Sequence, residues 1–163
     1  MFCNQISNTK RDLWRQCRLK YRYRYVDYLE ETDPGNKDAL QFGSYIHKIF
    51  EDGVKCTEKQ DLHEIADALR KNYTFDKSRE SLTGKCISNF FRFNQSLSGS
   101  EQISTEQHFA VELKDGYAIN GIIDRVIKGS KGEYLVIDYK TSKRLSTKRD
   151  LFNDPQMLMY AFA

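Results

Sequence analysis

The stretch Tyr117–Lys140, YAINGIIDRVIKGSKGEYLVIDYK, decides how the rest of the chain is read. Two runs rich in Ile, Val and Tyr flank KGSKG, whose Gly129 and Gly132 mark a short loop, so the pattern predicts a β-hairpin. Asp124 falls near the end of the first strand. Asp138 and Lys140 stand two residues apart on the second and share a face. With the loop centred near Ser130, Asp124 lies opposite Val136 and diagonal to Asp138. Diagonal neighbours are about 7–8 Å apart, close enough for two short carboxylates to converge on one cation. Acids and a lysine on an apolar ribbon are costly unless paired or bound to metal, which marks this face as functional.

The surrounding chain has the composition of a globular protein. Hydrophobic residues make up 39% and charged residues 30%, which excludes a disordered or membrane-embedded chain. No apolar run approaches the ~20 residues that a membrane-spanning helix needs. The first residues, MFCNQISNTKRDLW, lack an apolar core with a small-residue cleavage site, so an intracellular, cytoplasmic setting is expected. Cys3, Cys17, Cys56 and Cys86 form no CxxC pair and read as free thiols or isolated ligands. Charge is unevenly spread. Lys10, Arg11, Arg15, Arg18, Lys20, Arg22 and Arg24 crowd the first 25 residues against Asp12 alone, while the whole chain carries only +3. Such a basic segment is either a phosphate-binding surface or a solvated basic face.

Length predicts one domain, 1–163, mainly helical over 1–98, with a β-meander over 101–140 and a closing helix over 150–163. Ser7 is an expected N-cap for a helix from Asn8 to about Tyr21, with Leu13, Trp14, Cys17 and Tyr21 on one stripe. In the following YRYRY, the tyrosines either stack with arginines against nucleic acid or face the core. Asp33-Pro34-Gly35-Asn36 marks a turn. A second helix is expected over Lys37–Lys55, with Leu40, Ile46, Ile49, Phe50 and Val54 facing inward and His47 one turn before Glu51. Asp61–Tyr73 and Ser81–Leu97 are further helices, the latter supplying Ile87, Phe90, Phe91 and Phe93 to the core. Ile103–Leu113 alternates as a strand, with Phe109, Val111 and Leu113 on one side and Glu106, His108 and Glu112 on the other. Asp115-Gly116 turns it into the hairpin, making an antiparallel meander. TSKRLSTKR reads as a basic loop, and Asp154-Pro155 opens a helix that places Gln156 and Tyr160 on one face. That helix reads as cut short at Ala163, so the natural chain is expected to continue.

These pieces, in this order, resemble the PD-(D/E)xK nuclease superfamily, and its RecB-like branch in particular. That branch includes CRISPR-associated adaptation nucleases, helicase–nuclease domains and phage exonucleases. Ser7–Tyr25 resembles the branch's N-terminal helix with its Cys and aromatic-basic tail. Gly43-x-x-x-His47, Gly121-Ile-Ile-Asp124-Arg125, Val136-Ile-Asp138-Tyr-Lys140-Thr141 and Gln156-x-x-x-Tyr160 resemble its remaining motifs. The resemblance implies a restriction-endonuclease-like α/β (α+β) core, a mixed central sheet holding the antiparallel meander and flanked by helices. It implies that His47, Asp124, Asp138 and the Tyr139 carbonyl hold Mg²⁺ or Mn²⁺. Lys140 then orients and helps deprotonate the attacking water or stabilises charge on the scissile phosphate. Glu106 sits where related nucleases often carry an acid.

The same resemblance implies that Gln156 and Tyr160 touch DNA or brace the site, while Arg11, Arg15, Arg18 and Arg22 form a basic arm for phosphate. Cys17 matches the first cysteine of branch members that bind an iron–sulfur cluster. Cys3, Cys56 and Cys86 do not complete such a set, so no cluster is expected. The implied partners are DNA ends or single strands, and a helicase, recombination or CRISPR adaptation partner; no membrane is expected. The rival reading is a non-catalytic DNA-binding module or an inactive, truncated nuclease fold.

Overall fold

A computed structural model describes residues 4–31, 35, 37–142 and 146–163. Cys3, most of the Asp33–Asn36 turn, and Lys143 and Arg144 of the expected basic loop lie outside these residues. The chain forms two compact units, each discontinuous in sequence. One draws on Met1–Pro34, Gln107–Ile123 and Arg144–Ala163, the other on Gly35–Glu106 and Asp124–Lys143. Strands β2 (Glu101–Glu112) and β3 (Ala118–Lys128) each begin in one unit and end in the other.

The second unit is built on α3 (Lys37–Gly53), α4 (Lys59–Arg70) and α5 (Glu80–Ser96). In α3, Phe42, Tyr45, Ile46, Ile49, Phe50 and Gly53 recur at three- and four-residue steps, and all are buried. Phe50 stacks on Phe90 of α5 with centroids 4.3 Å apart, and the Tyr45 hydroxyl donates to the Ala66 carbonyl of α4 at 3.0 Å. Helical periodicity therefore predicts most of this core. Leu40 and Phe93 depart from the expectation. They are 67% and 39% exposed, because Leu40 shares the polar face of α3 with Ser44, His47 and Glu51, and Phe93 sits at the edge of the α5 apolar stripe.

Strand β3 pairs with β2, with β4 (Tyr134–Ile137) and with β1 (Gln5–Ile6), giving a mixed four-stranded sheet. β1 is too short to leave a periodic signal in the sequence; it runs parallel to β3 with Gln5 opposite Ala118. β2 and β3 are joined by Leu113–Tyr117 alone, a link too short for anything but an antiparallel pair. The link turns on Asp115 and Gly116, whose φ values of 62° and 74° are left-handed, as the Asp-Gly pair predicts. Leu113 turns outward there. Across β3 and β4 the pairs are Arg125↔Ile137, Val126↔Val136, Ile127↔Leu135 and Lys128↔Tyr134. The loop thus centres on Lys131, not Ser130, closed by the Gly129 amide on the Glu133 carbonyl at 2.8 Å. Continuing that register by one step places Asp124 opposite Asp138 instead of Val136.

Arg125 is 5% exposed and is held by neutral acceptors. Its Nε donates to Gln102 Oε1 at 2.7 Å, and Nη1 donates to Asn94 Oδ1 at 2.6 Å and to the Tyr139 hydroxyl at 3.3 Å. Asn94 in turn donates to the Val54 carbonyl beyond α3, so one guanidinium ties β3 to α5, β2 and the residues after β4.

In the other unit, the expected Asn8–Tyr21 helix is two: α1 (Asn8–Gln16), capped by Ser7, and α2 (Arg18–Tyr25). Cys17 breaks them with extended dihedrals, φ −158° and ψ 104°. The YRYRY run is therefore helical. Tyr21 and Tyr25 pack together at 5.2 Å, with Trp14 against Tyr21, while Tyr23 faces outward. Gly121 lies under the Phe109 ring, where a Cβ would come within 2.8 Å of Cε1. Part of the expected basic loop is α6 (Lys148–Phe152), started by a Thr147–Asp150 capping box. The last helix, α7 (Pro155–Phe162), is capped by Asp154 as expected.

Burial sets the expected cost of substitutions in the second unit. Ile87, fully buried, should cost about 2–5 kcal/mol when cut to alanine. Leu40→Ala should stay within about 0.5 kcal/mol. Arg125→Ala strands three part-buried acceptors and should cost about 1–3 kcal/mol, with Arg125→Lys recovering only part, since one ammonium cannot reproduce the fork. Urea denaturation of the four variants measures all of these differences.

Candidate active site

The site is assembled on the second unit from α3, β2, β3 and the residues following β4. His47 lies on the polar flank of α3, opposite the stripe that packs on α5. Its Nδ1 is 3.5 Å from Asp124 Oδ2, with side chains 30% and 11% exposed. Glu106 joins them: one ligand atom from each of His47, Glu106 and Asp124 lies within 4.8 Å of the others. Glu106 has φ 46°, a left-handed conformation unusual for a non-glycine within a strand. Such strain persists where the surroundings over-determine a residue, and it recurs at functional sites.

Asp124 is fixed from the strand opposite. β4 stops pairing at Ile137, which leaves the Tyr139 amide outside the ladder, and it donates to Asp124 Oδ2 at 2.6 Å. Asp124 is not ion-paired with its neighbour Arg125. Successive side chains leave a strand on opposite faces, and the Arg125 fork is taken up by Gln102, Asn94 and Tyr139. The Tyr139 ring meets Phe50 at 5.0 Å and Phe90 at 5.7 Å, both edge-on. Asp138, whose side chain is 6% exposed, holds the half-exposed Lys140 ammonium at 2.6 Å.

The pKa of His47 is raised. The hydrogen bond to Asp124 is the main cause, burial opposes it, and Glu106 and the Tyr139 backbone push the same way as Asp124. Two carboxylates that favour the charged form of an imidazole mark a spot that attracts positive charge. The spot opens into a cavity of about 480 Å³ lined by Ser44, His47, Lys48, Glu51, Glu106 and Thr141 among others.

The remaining residues singled out in the sequence lie in the other unit. Gln156 Nε2 donates to the Tyr160 hydroxyl at 2.6 Å, and that hydroxyl donates to the Ile122 carbonyl at 2.8 Å. Tyr160 is buried against Phe109, so it braces β3 two residues before Asp124 in the chain, and Gln156 lines a cavity of about 470 Å³. Arg11 bonds Asn8 and Asp12, and Arg22 bonds Asp27. Arg15 is exposed, and Arg18 lies 5.2 Å over the Trp14 ring. Cys17 is exposed at the break between α1 and α2, where its Sγ accepts the Lys20 amide. Of the groups at the site, Glu106 has the weakest signal in the sequence. Alternation alone cannot reveal a residue whose backbone leaves the strand conformation.

Among the described residues no helix is long and apolar enough to cross a membrane. The family model of the PD-(D/E)XK nuclease superfamily matches residues 5–163. Similar curated proteins are bacterial, and each is named as one subunit of an ATP-dependent helicase/deoxyribonuclease. That of Streptococcus agalactiae is 29% identical over 158 residues, covering 86% of this chain and 14% of the relative. The protein of the same name from Streptococcus equi subsp. zooepidemicus is 27% identical over 176 residues, covering 97% of this chain and 16% of the relative. That of Streptococcus pyogenes is 23% identical over 178 residues, covering 98% of this chain and 16% of the relative. The chain thus spans a small fraction of the length of these relatives, which are of the helicase–nuclease kind that the RecB-like motifs imply. With its motifs in order on a mixed sheet packed with helices, the chain belongs to the PD-(D/E)XK nuclease superfamily.

Proposed function

We propose that the protein is a divalent-cation-dependent deoxyribonuclease that hydrolyses phosphodiester bonds of DNA. The observation that carries this reading is the meeting of His47, Glu106 and Asp124 within 4.8 Å, in a chain matched by a nuclease family over nearly its full length. The donor set fits a divalent cation. Two carboxylates suit Mg²⁺, and the imidazole makes Mn²⁺ equally suitable. His47, Glu106 and Asp124 would hold the ion, with Asp138 and the Tyr139 carbonyl in reserve beside them. Such an ion lowers the pKa of water and offsets negative charge gathering on the phosphoryl group.

The chain's own groups supply the rest. Lys140, the half-exposed cation of the site, faces the scissile phosphate and stabilises its developing charge, and Asp138 keeps the ammonium aimed. The Tyr139 amide orients Asp124. Hydrolysis forms a P–O bond from water while the bond to the leaving sugar oxygen breaks; the Asp138 carboxylate takes the water proton, Lys140 stays an ammonium, and the leaving oxygen is protonated from solvent. Arg15 and Arg18, the latter lying over the half-exposed Trp14 ring, bind phosphates of the incoming strand. Gln156 and Tyr160 serve that strand by holding the edge of β3. The relatives' names favour a nuclease coupled to a helicase, which suits an intracellular exonuclease acting on DNA ends in recombination or repair.

Cleavage of end-labelled DNA with Mn²⁺ or Mg²⁺ tests the reading. Asp124→Ala and Lys140→Ala should each lower kcat by roughly 10²–10³-fold, and Glu106→Gln should lower cation affinity by about 10–100-fold. Equal cleavage by all variants, or full activity in chelator, overturns it. Arg15→Ala with Arg18→Ala should flatten the salt dependence of single-strand binding by about 0.7 per lost phosphate contact.

A further inference from the structure

Thr141 lines two cavities of contrasting chemistry within the second unit. The first is the polar one beside His47 and Glu106. The second, of about 300 Å³, has walls from Ile46, Phe90 and Phe93, with the Asn89 amide, Asp138 and Lys140 also in its lining. A nucleotide has the same two-part character, a charged phosphate joined to a flat apolar ring with a polar edge. A polar pocket that draws a cation takes the first part, and an apolar slot with one amide takes the second.

Two details on α5 favour a ring as the occupant. Phe93 belongs to an otherwise core-facing run, yet it stands 39% exposed at this cavity. Asn89, exposed one turn earlier on the same helix face, offers a donor and an acceptor together. An aromatic face with an adaptable amide accepts any base, because every base has a π-face and a mixed edge. Lys140 stands in the wall of the same cavity, so a base seated there leaves its phosphate within the lysine's neighbourhood.

We propose that this second cavity receives one unstacked nucleobase of the DNA strand, next to the phosphate that is cut. The proposal rests on the nuclease reading above and adds the substrate's base to it. It implies that the strand is single, or locally opened, at the point of cleavage.

The test uses single-stranded oligonucleotides carrying one abasic site at successive positions. With wild-type protein, an abasic site at one position beside the cut should raise KM by about 5- to 150-fold, the equivalent of one lost stacking contact. Phe93→Ala should raise KM for the intact strand by a similar factor and erase the abasic effect, while kcat stays within about threefold. Asn89→Ala should act in the same direction. Phe93 is partly exposed, and unchanged circular dichroism would show that the variant folds. If Phe93→Ala cleaves with wild-type KM, or no abasic position matters, the base pocket is wrong. If the wild type cuts no DNA, the nuclease reading fails, and binding in chelator then decides the pocket. Quenching of a 2-aminopurine at one position, lost in Phe93→Ala, supports it; absence of quenching overturns it.

Discussion

The hydrogen bond from the Tyr139 amide to Asp124 Oδ2 is the constraint on which the site depends. A carboxylate only 11% exposed has lost most of its water, and donors from the protein must replace it. Here the donor is a backbone group that strand pairing would otherwise consume. β4 frees it by ending at Ile137, and the Tyr139 side chain then prevents the freed backbone from wandering. The ring is wedged edge-on against Phe50 and Phe90, which are themselves stacked in the core of α3 and α5. Core packing is thereby transmitted to the orientation of one acid.

Charge is separated by the pleat of β3. Asp124 and Arg125 are consecutive, yet the carboxylate turns to His47 and the guanidinium to Asn94, Gln102 and Tyr139. Had they paired, the acid would have been neutralised and the His47 cluster would have lost its pull on cations. Burying a guanidinium among neutral oxygens is a costly way to avoid that pairing, since Arg125 gains hydrogen bonds but no opposite charge. In return, the negative potential of Asp124 and Glu106 stays directed at one point. The raised pKa of His47 is a consequence of that concentration.

Much of this is legible in the sequence, because the strongest signals are periodic. α3 buries residues at helical spacing, the hairpin alternates around a glycine-marked loop, and Ser7 and Asp154 cap the helices they announce. The departures have equally physical causes. KGSKG has two glycines and either can set the loop centre, so the hairpin register is ambiguous by one step; the observed register converts a diagonal Asp124–Asp138 pair into a direct one. Cys17 has the spacing of one more member of an apolar stripe, but with ψ at 104° it caps a new helix instead. Phe93 has the composition of a core residue, whereas the edge of a helical stripe is decided by what packs opposite it. Glu106 is hard to weigh because a left-handed residue within a strand leaves no mark on hydrophobic alternation.

The site is also non-local in a way that links chemistry to folding. His47, Glu106, Asp124 and the Asp138–Lys140 pair come from separate segments, and none of those segments supplies the ligand set alone. Local helix formation can align His47 with Glu51 one turn away, but it cannot bring in an acid from a distant strand. Only closure of the sheet against α3 does so, and closure is what the Arg125 fork and the Tyr139 wedge secure. A group that binds the closed arrangement and not the open chain necessarily stabilises the former, so an ion at this site would reinforce the geometry that creates it. The geometry of the site and tertiary order in this unit are therefore two readings of one equilibrium.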